Sequence, residues 1–187
     1  MHSLNGFLVG AAAFFSSTLA LPASSLVTLD RRACGITYPT SMSEVTPFYV
    51  GKTDSDFCID ETKVRYANFD IPSTARGACQ LEFIFPANYD IGNPESRQLN
   101  VWKTNRPFDI TIDTWTSSPQ IVTLFGTVML KSKPSEPSRI IVNSGSCSSM
   151  QDFKFTIAEN NRNATIAYQQ RYPVTGPVAG MRIVHSC

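Results

Sequence analysis

Apolar and polar residues alternate along much of this chain with a period of two, the spacing of a strand with one buried face. In CQLEFIFP (79–86), Cys79, Leu81, Phe83 and Phe85 alternate with Gln80, Glu82 and Ile84. In FDITIDTW (108–115), Phe108, Ile110 and Ile112 alternate with Asp109, Thr111 and Asp113. In DFKFTIAE (152–159), Phe153, Phe155 and Ile157 alternate with Asp152, Lys154 and Thr156. Weaker runs lie at 45–50, 64–71, 98–103, 121–130, 139–143, 164–170 and 180–185. Turn formers separate the runs: Pro72-Ser73, Gly92-Asn93-Pro94, Lys133-Pro134, Ser144-Gly145 and Gly176-Pro177. Short strands between turns, with no helical period, predict an all-β fold: an antiparallel β-sandwich of about 8–10 strands. One phase slip stands out. Val64 and Tyr66 share one parity and Phe69 and Ile71 the other, which predicts a bulge near Ala67-Asn68.

The first twenty residues break this pattern. MHSLNGFLVGAAAFFSSTLA carries an apolar run from Gly6 to Phe15, much shorter than the roughly 20 residues of a membrane span. Small residues follow, and Thr18 and Ala20 stand at the positions a signal peptidase reads, so residues 1–20 read as a secretory signal peptide cut after Ala20. Residues 21–32, LPASSLVTLDRR, read as a pro-segment that ends in the dibasic pair Arg31-Arg32. Acidic pockets of a subtilisin-like processing protease accept two adjacent cations. Residues 33–187 are then a single β-sandwich domain, long enough to bury a sizeable core.

Processing alters the charge. The full chain has 16 Lys and Arg against 15 Asp and Glu, and losing Asp30, Arg31 and Arg32 leaves 14 of each. A neutral domain has no basic footprint for nucleic acid and no polybasic patch for anionic lipid. The expected location is extracellular, free or wall-associated, with no membrane anchor.

Secretion places the five cysteines, at 34, 58, 79, 147 and 187, in an oxidising compartment where most should pair. Two bridges among five cysteines allow fifteen schemes. Cys34 and Cys187 sit at the two ends of the processed chain, where a bridge prevents fraying. Cys79 and Cys147 lie at strand-like segments and are candidates to join facing sheets. That choice leaves Cys58 free or in an intermolecular bond.

Candidate chemistry is sparse. The processed chain has one histidine, His185, on the parity of Met181 and Ile183; one strand histidine supports neither a triad nor a zinc site. Glycoside hydrolysis needs only two carboxylates. The best local pair, Asp109 and Asp113, would be about 13 Å apart along a strand, beyond the roughly 5–9.5 Å that this chemistry uses. DSDFCIDE (54–61) is acid-rich, yet Cys58 and the missing glycine break the EF-hand pattern, leaving Asp54, Asp56 and Asp60 as a loose calcium alternative to an ordinary acidic loop. No metal or cofactor is expected. Asn163-Ala164-Thr165 is a glycosylation sequon. Trp102 is out of phase with Leu99 and Val101, and Trp115 shares the parity of Asp109 and Asp113. Both are candidate outward aromatics for stacking on a sugar or anchoring a protein, against the ordinary role of indoles as core fillers.

Three segments carry a family resemblance. FDIPSTARGACQLEFIFP (69–86), GSCSSMQDFKFTIA (145–158) and YQQRYPVTGPVAGMRIVHSC (168–187) resemble the C-terminal domain family named after a fungal protein that binds the activating-enzyme subunit of a ubiquitin-like modifier. The resemblance runs from about Lys63 to the C-terminus. It implies an all-β, fungal, frequently secreted domain with Cys79 and Cys147 on paired strands, and it carries over no catalytic residue. The expected function is that of a non-enzymatic secreted fungal binding protein, an effector or elicitor with a host apoplastic protein as partner. Binding to wall polysaccharide or a structural role in the wall is the alternative, and a two-carboxylate carbohydrate hydrolase the second.

Overall fold

The alternating segments pair into three antiparallel sheets in a computed structural model that describes residues 34–53, 55–92, 97–158 and 164–187. The strands are β1 (Gly35–Thr37), β2 (Ser41–Val45), β3 (Val50–Thr53), β4 (Asp56–Ile59), β5 (Val64–Asp70), β6 (Ala78–Phe85), β7 (Arg97–Thr104), β8 (Ile121–Leu130), β9 (Ser138–Ser146), β10 (Met150–Ile157), β11 (Ile166–Gln169) and β12 (Gly180–His185). A single 3-10 turn, Pro173–Thr175, is the one helical element among them. One sheet has the order β1-β12-β6-β9, the second β3-β2-β5-β10-β7-β8, and β11 pairs with β4 as a two-stranded flap. The fold is the expected all-β sandwich; among the described residues its strands number twelve because the short β1 and β4 carry too little pattern to be read in advance. All described residues belong to one compact unit.

The core lies where the inward parities meet. Leu81, Phe83 and Phe85 of β6, with Met181 and Ile183 of β12, face Phe69, Leu99, Val101, Phe153 and Phe155 of the larger sheet. Phe57 and Tyr168 bring the flap into the same cluster. Phe57 stacks on Tyr168 at 4.6 Å and meets Phe155 edge-on at 5.6 Å. Burying such rings contributes about 1.5–3 kcal/mol each. On one side the sandwich nearly closes, with Asn143 Nδ2 donating to Phe125 O at 2.6 Å. Here β8 passes β9 so closely that a Cβ on Gly126 would stand 2.8 Å from Val142 O. Only glycine allows that approach.

Three expectations need correction. The bulge near Ala67-Asn68 is absent, because β5 pairs without a break to both β2 and β10. Instead both faces of β5 are covered: Ala67 and Phe69 face the core, and Tyr66 joins Val45 and Phe108 in a second cluster on the outer face. The bulges fall in the β6–β9 and β7–β8 ladders. The run 45–50 is the end of β2, a turn closed by Thr46 N donating to Tyr49 O at 2.8 Å, and the start of β3. Segment 108–115 is a loop, described below.

The structure joins Cys34 to Cys187 and Cys79 to Cys147, and leaves Cys58 free. Cys79 opens β6, while Cys147 lies in the corner where the chain leaves β9 for β10 of the other sheet. The segments expected to be a signal peptide and a pro-segment, with Ala20, Arg31 and Arg32, the acid Asp54, and the sequon residue Asn163 lie outside the described residues.

Candidate functional site

Between β7 and β8 the chain leaves the ladder at Thr104 and returns at Ile121. The ends of this excursion meet: Asn105 N donates to Gln120 O at 3.1 Å, and Gln120 N donates to Asn105 Oδ1 at 3.0 Å. Residues 105–120 are thus an Ω-loop, a compact excursion with adjacent ends. It folds over the outer face of the six-stranded sheet. Phe108 stacks on Tyr66 at 4.6 Å, and its carbonyl accepts from Asn68 Nδ2 at 3.3 Å.

Charged and polar groups fix the loop from within. Asp113 is buried and takes both arms of Arg106, at 2.7 Å and 2.5 Å. The same carboxylate accepts from Asp109 N at 2.8 Å. Asp109 makes an Asx turn, its Oδ1 accepting from Thr111 N and Thr111 Oγ1 at 2.8 Å and 2.6 Å. Thr114 and Ser117 bond reciprocally through side chain and backbone. The Arg106 guanidinium holds the Asp113 carboxyl below its ordinary range, and the Thr111 bonds do the same for Asp109.

That pattern explains why 108–115 is not a strand. Local side-chain bonds from Asp and Thr offer the backbone an alternative to the ladder. The signals were Pro107, the Asp109-x-Thr111 spacing and the Thr114–Pro119 run of turn residues. Asp109 and Asp113 are therefore neighbours across a turn, with Asp113 N donating to Asp109 O at 2.8 Å. Both have lowered pKa values, the reverse of the raised acid a glycosidase needs.

Of the residues that parity assigned to the core, Phe108 is buried but Ile110 and Ile112 point out of this loop, beside Trp115, which parity placed outward. Ile110 is 42% exposed, Ile112 68% and Trp115 39%. The adjoining start of β8 exposes Ile121, Val122 and Leu124 as well. Parity did not foresee Ile110 and Ile112 as surface residues. Trp102 is half-buried on the outer sheet face, where its indole N–H donates to Thr156 Oγ1 at 3.0 Å. The two tryptophans thus have different settings: one rests in the sheet surface, the other on the loop.

The remaining candidates have structural settings. His185 is buried at the end of β12, its ring nitrogens 3.1 Å from Thr37 Oγ1 and from Ser186 Oγ. Asp60 Oδ1 accepts from Thr62 N and Thr62 Oγ1, both at 2.8 Å, while Asp56 is exposed at the other end of β4. No cluster of three metal-ligating side chains occurs among the described residues. Cys58 is half-buried, and burial raises its thiol pKa against the opposing pull of Lys63 and Arg65. A raised pKa depletes the reactive thiolate.

The class defined by these features is a disulfide-stapled β-sandwich presenting a pre-formed loop. A family model described as the ubiquitin 3 binding protein But2 C-terminal domain matches residues 39–173, and the chain belongs to that family. The match begins earlier than the resemblance read from Lys63, includes the β7 region, and ends before β12. No curated protein matches the chain.

Proposed function

We propose that this chain is a secreted, non-enzymatic binding protein whose Ω-loop docks a protein of a host's extracellular space. The carrying observation is the contrast within residues 105–120: the polar groups Arg106, Asp109 and Asp113 are satisfied internally, and Ile110, Ile112 and Trp115 face solvent. Exposing apolar side chains on an ordered loop suits a binding hot spot, because little conformational entropy remains to be lost on docking. The family is named for a binding protein, which agrees at the level of class. A signal-like N-terminus, a dibasic pair and two disulfides support an extracellular setting rather than an intracellular ubiquitin-like pathway.

The test is affinity capture from host extracellular fluid with the oxidised protein starting at Ala33, beside the Ile112→Asp and Trp115→Ala variants. One host protein retained by the parent and lost by at least tenfold with either variant supports the reading. Retention only by insoluble glucan or chitin, or capture that the loop variants leave unchanged, overturns it.

A further inference from the structure

At the flap end of the sandwich, two clefts of about 460 Å³ and 380 Å³ adjoin, and Gln169 and Arg171 line both. The wall between them is built from a closed loop. Arg171 N donates to Ala179 O at 2.8 Å, and Ala179 N returns a bond to Arg171 O at 3.3 Å. Next to this bridge, the Gln170 amide is bound on both sides by Met181, its Nε2 donating to Met181 O at 2.9 Å and its Oε1 accepting from Met181 N at 2.8 Å. A side chain at Gly180, whose φ is +106°, would collide with that amide.

The side chain of Arg171 has a platform of its own. Its guanidinium lies 5.1 Å from the centroid of the Tyr89 ring. Tyr89 stacks on Phe85 at 5.6 Å, donates its hydroxyl proton to Gln169 O at 2.7 Å, and accepts from Lys133 N at its carbonyl at 2.7 Å. A guanidinium on a ring that is itself anchored is pre-organised, so little rotamer entropy is lost when it binds a ligand. Among the described residues that line the two clefts, Asp90 is the only acid, and Lys133 Nζ pairs with it at 3.1 Å. The remaining polar lining is made of amides and hydroxyls.

We infer that these clefts form a binding site for an acidic oligosaccharide, with Arg171 receiving a sugar carboxylate. A planar guanidinium fork matches a carboxylate in two parallel hydrogen bonds. The amides of Asn88 and Gln169 offer both donors and acceptors, as sugar hydroxyls require, while the Gln170 amide is held by Met181 and shapes the wall. The Tyr89 ring is stacked on Phe85 and topped by Arg171, so recognition runs through the cation and the amides rather than through a bare aromatic face. This site is separate from the Ω-loop and does not depend on its partner.

The probe is the galacturonic acid trimer, titrated into the isotopically labelled protein starting at Ala33 and followed by backbone amide shifts. The expected result is saturable shifts centred on Tyr89, Gln169, Arg171 and Tyr172 that weaken with added salt. Arg171→Gln should weaken binding at least tenfold with the thermal midpoint unchanged, and Arg171→Lys should fall between. A neutral chitin trimer should bind at least tenfold more weakly than the acid. Shifts mapping elsewhere, equal binding of the neutral trimer, competition by inorganic sulfate at equal concentration, or indifference to Arg171→Gln would each overturn the assignment. If Arg171→Gln fails to fold, Arg171→Lys alone decides.

Discussion

Asp152 faces Asn68 across the β10–β5 ladder, and neither its Oδ1 nor the Asn68 Oδ1 has a hydrogen-bond partner. Burial, with help from the Asp70 charge, pushes the Asp152 carboxyl up to about 6. An acid whose folded pKa is raised binds its proton more tightly in the native state, so stability falls as pH rises from about 4 to about 6. Full linkage over that shift would be about 3 kcal/mol; half-exposure screens it to about 1–2 kcal/mol. Asp152→Asn removes the buried charge and brings a donor beside the unpaired Asn68 oxygen. Urea unfolding should show that variant about 1 kcal/mol more stable than the parent at pH 7 and no more stable at pH 4; an equal gain at both pH values would contradict the charge account. Asp113 has the opposite sign. Its lowered pKa means that its contribution is complete above about pH 4 and is lost only as the carboxyl protonates at still more acid pH. Asp113→Ala should turn residues 105–120 into the first site cut in limited proteolysis at pH 7, with the core fragments intact. Parity placed Trp102 on the outer face because the β7 ladder dictates it. The same rule failed at Ile110 and Ile112, where the Asx turn of Asp109 and the Arg106–Asp113 pair decide the backbone.

The strand is the scale at which alternation worked best, and its failures have one cause. β6 and β10 read cleanly because each has one face in the core. β5 looked bulged because the Ω-loop covers its second face, and a sequence pattern cannot tell a bulge from a strand buried on both sides. On the outer face of β6, Glu82 is fully buried between two cations from its neighbours. Arg139 Nε of β9 donates to Oε2 at 2.6 Å, and Arg182 of β12 donates to Oε1 at 2.7 Å. The three strands are thereby fixed in register by one carboxylate. Replacing a buried charge strands its partners. Glu82→Ala should cost about 2–4 kcal/mol, softened because Arg139 reaches water, and Glu82→Gln, which keeps acceptor and shape, should cost about 1–2 kcal/mol. Chemical denaturation of both variants checks the order. Equal costs would mean that shape, not charge, holds β9 and β12 to β6.

At the scale of the whole molecule, the two disulfides divide the work of holding a fold made of distant strand pairs. Cys34–Cys187 closes 153 residues with its Cα atoms 4.6 Å apart, and Cys79–Cys147 closes 68. Constraint of the unfolded chain alone assigns them about 5 and about 4 kcal/mol. Packing reverses the order. Cys79 is 4% exposed inside the main cluster, so losing its sulfur also opens a cavity worth about 1–2 kcal/mol. Cys34 is exposed and ties down only the three residues of β1. The Cys79→Ala/Cys147→Ala variant should therefore unfold at the lower temperature, roughly 10–20 °C below the parent. Cys34→Ala/Cys187→Ala should retain the parent's near-ultraviolet dichroism while exchanging the amides of β1 within minutes. Calorimetry on the two variants separates the accounts: if the terminal pair proves the more costly, loop closure outweighs core packing in this sandwich, and the ends stabilise the domain more than its central corner does.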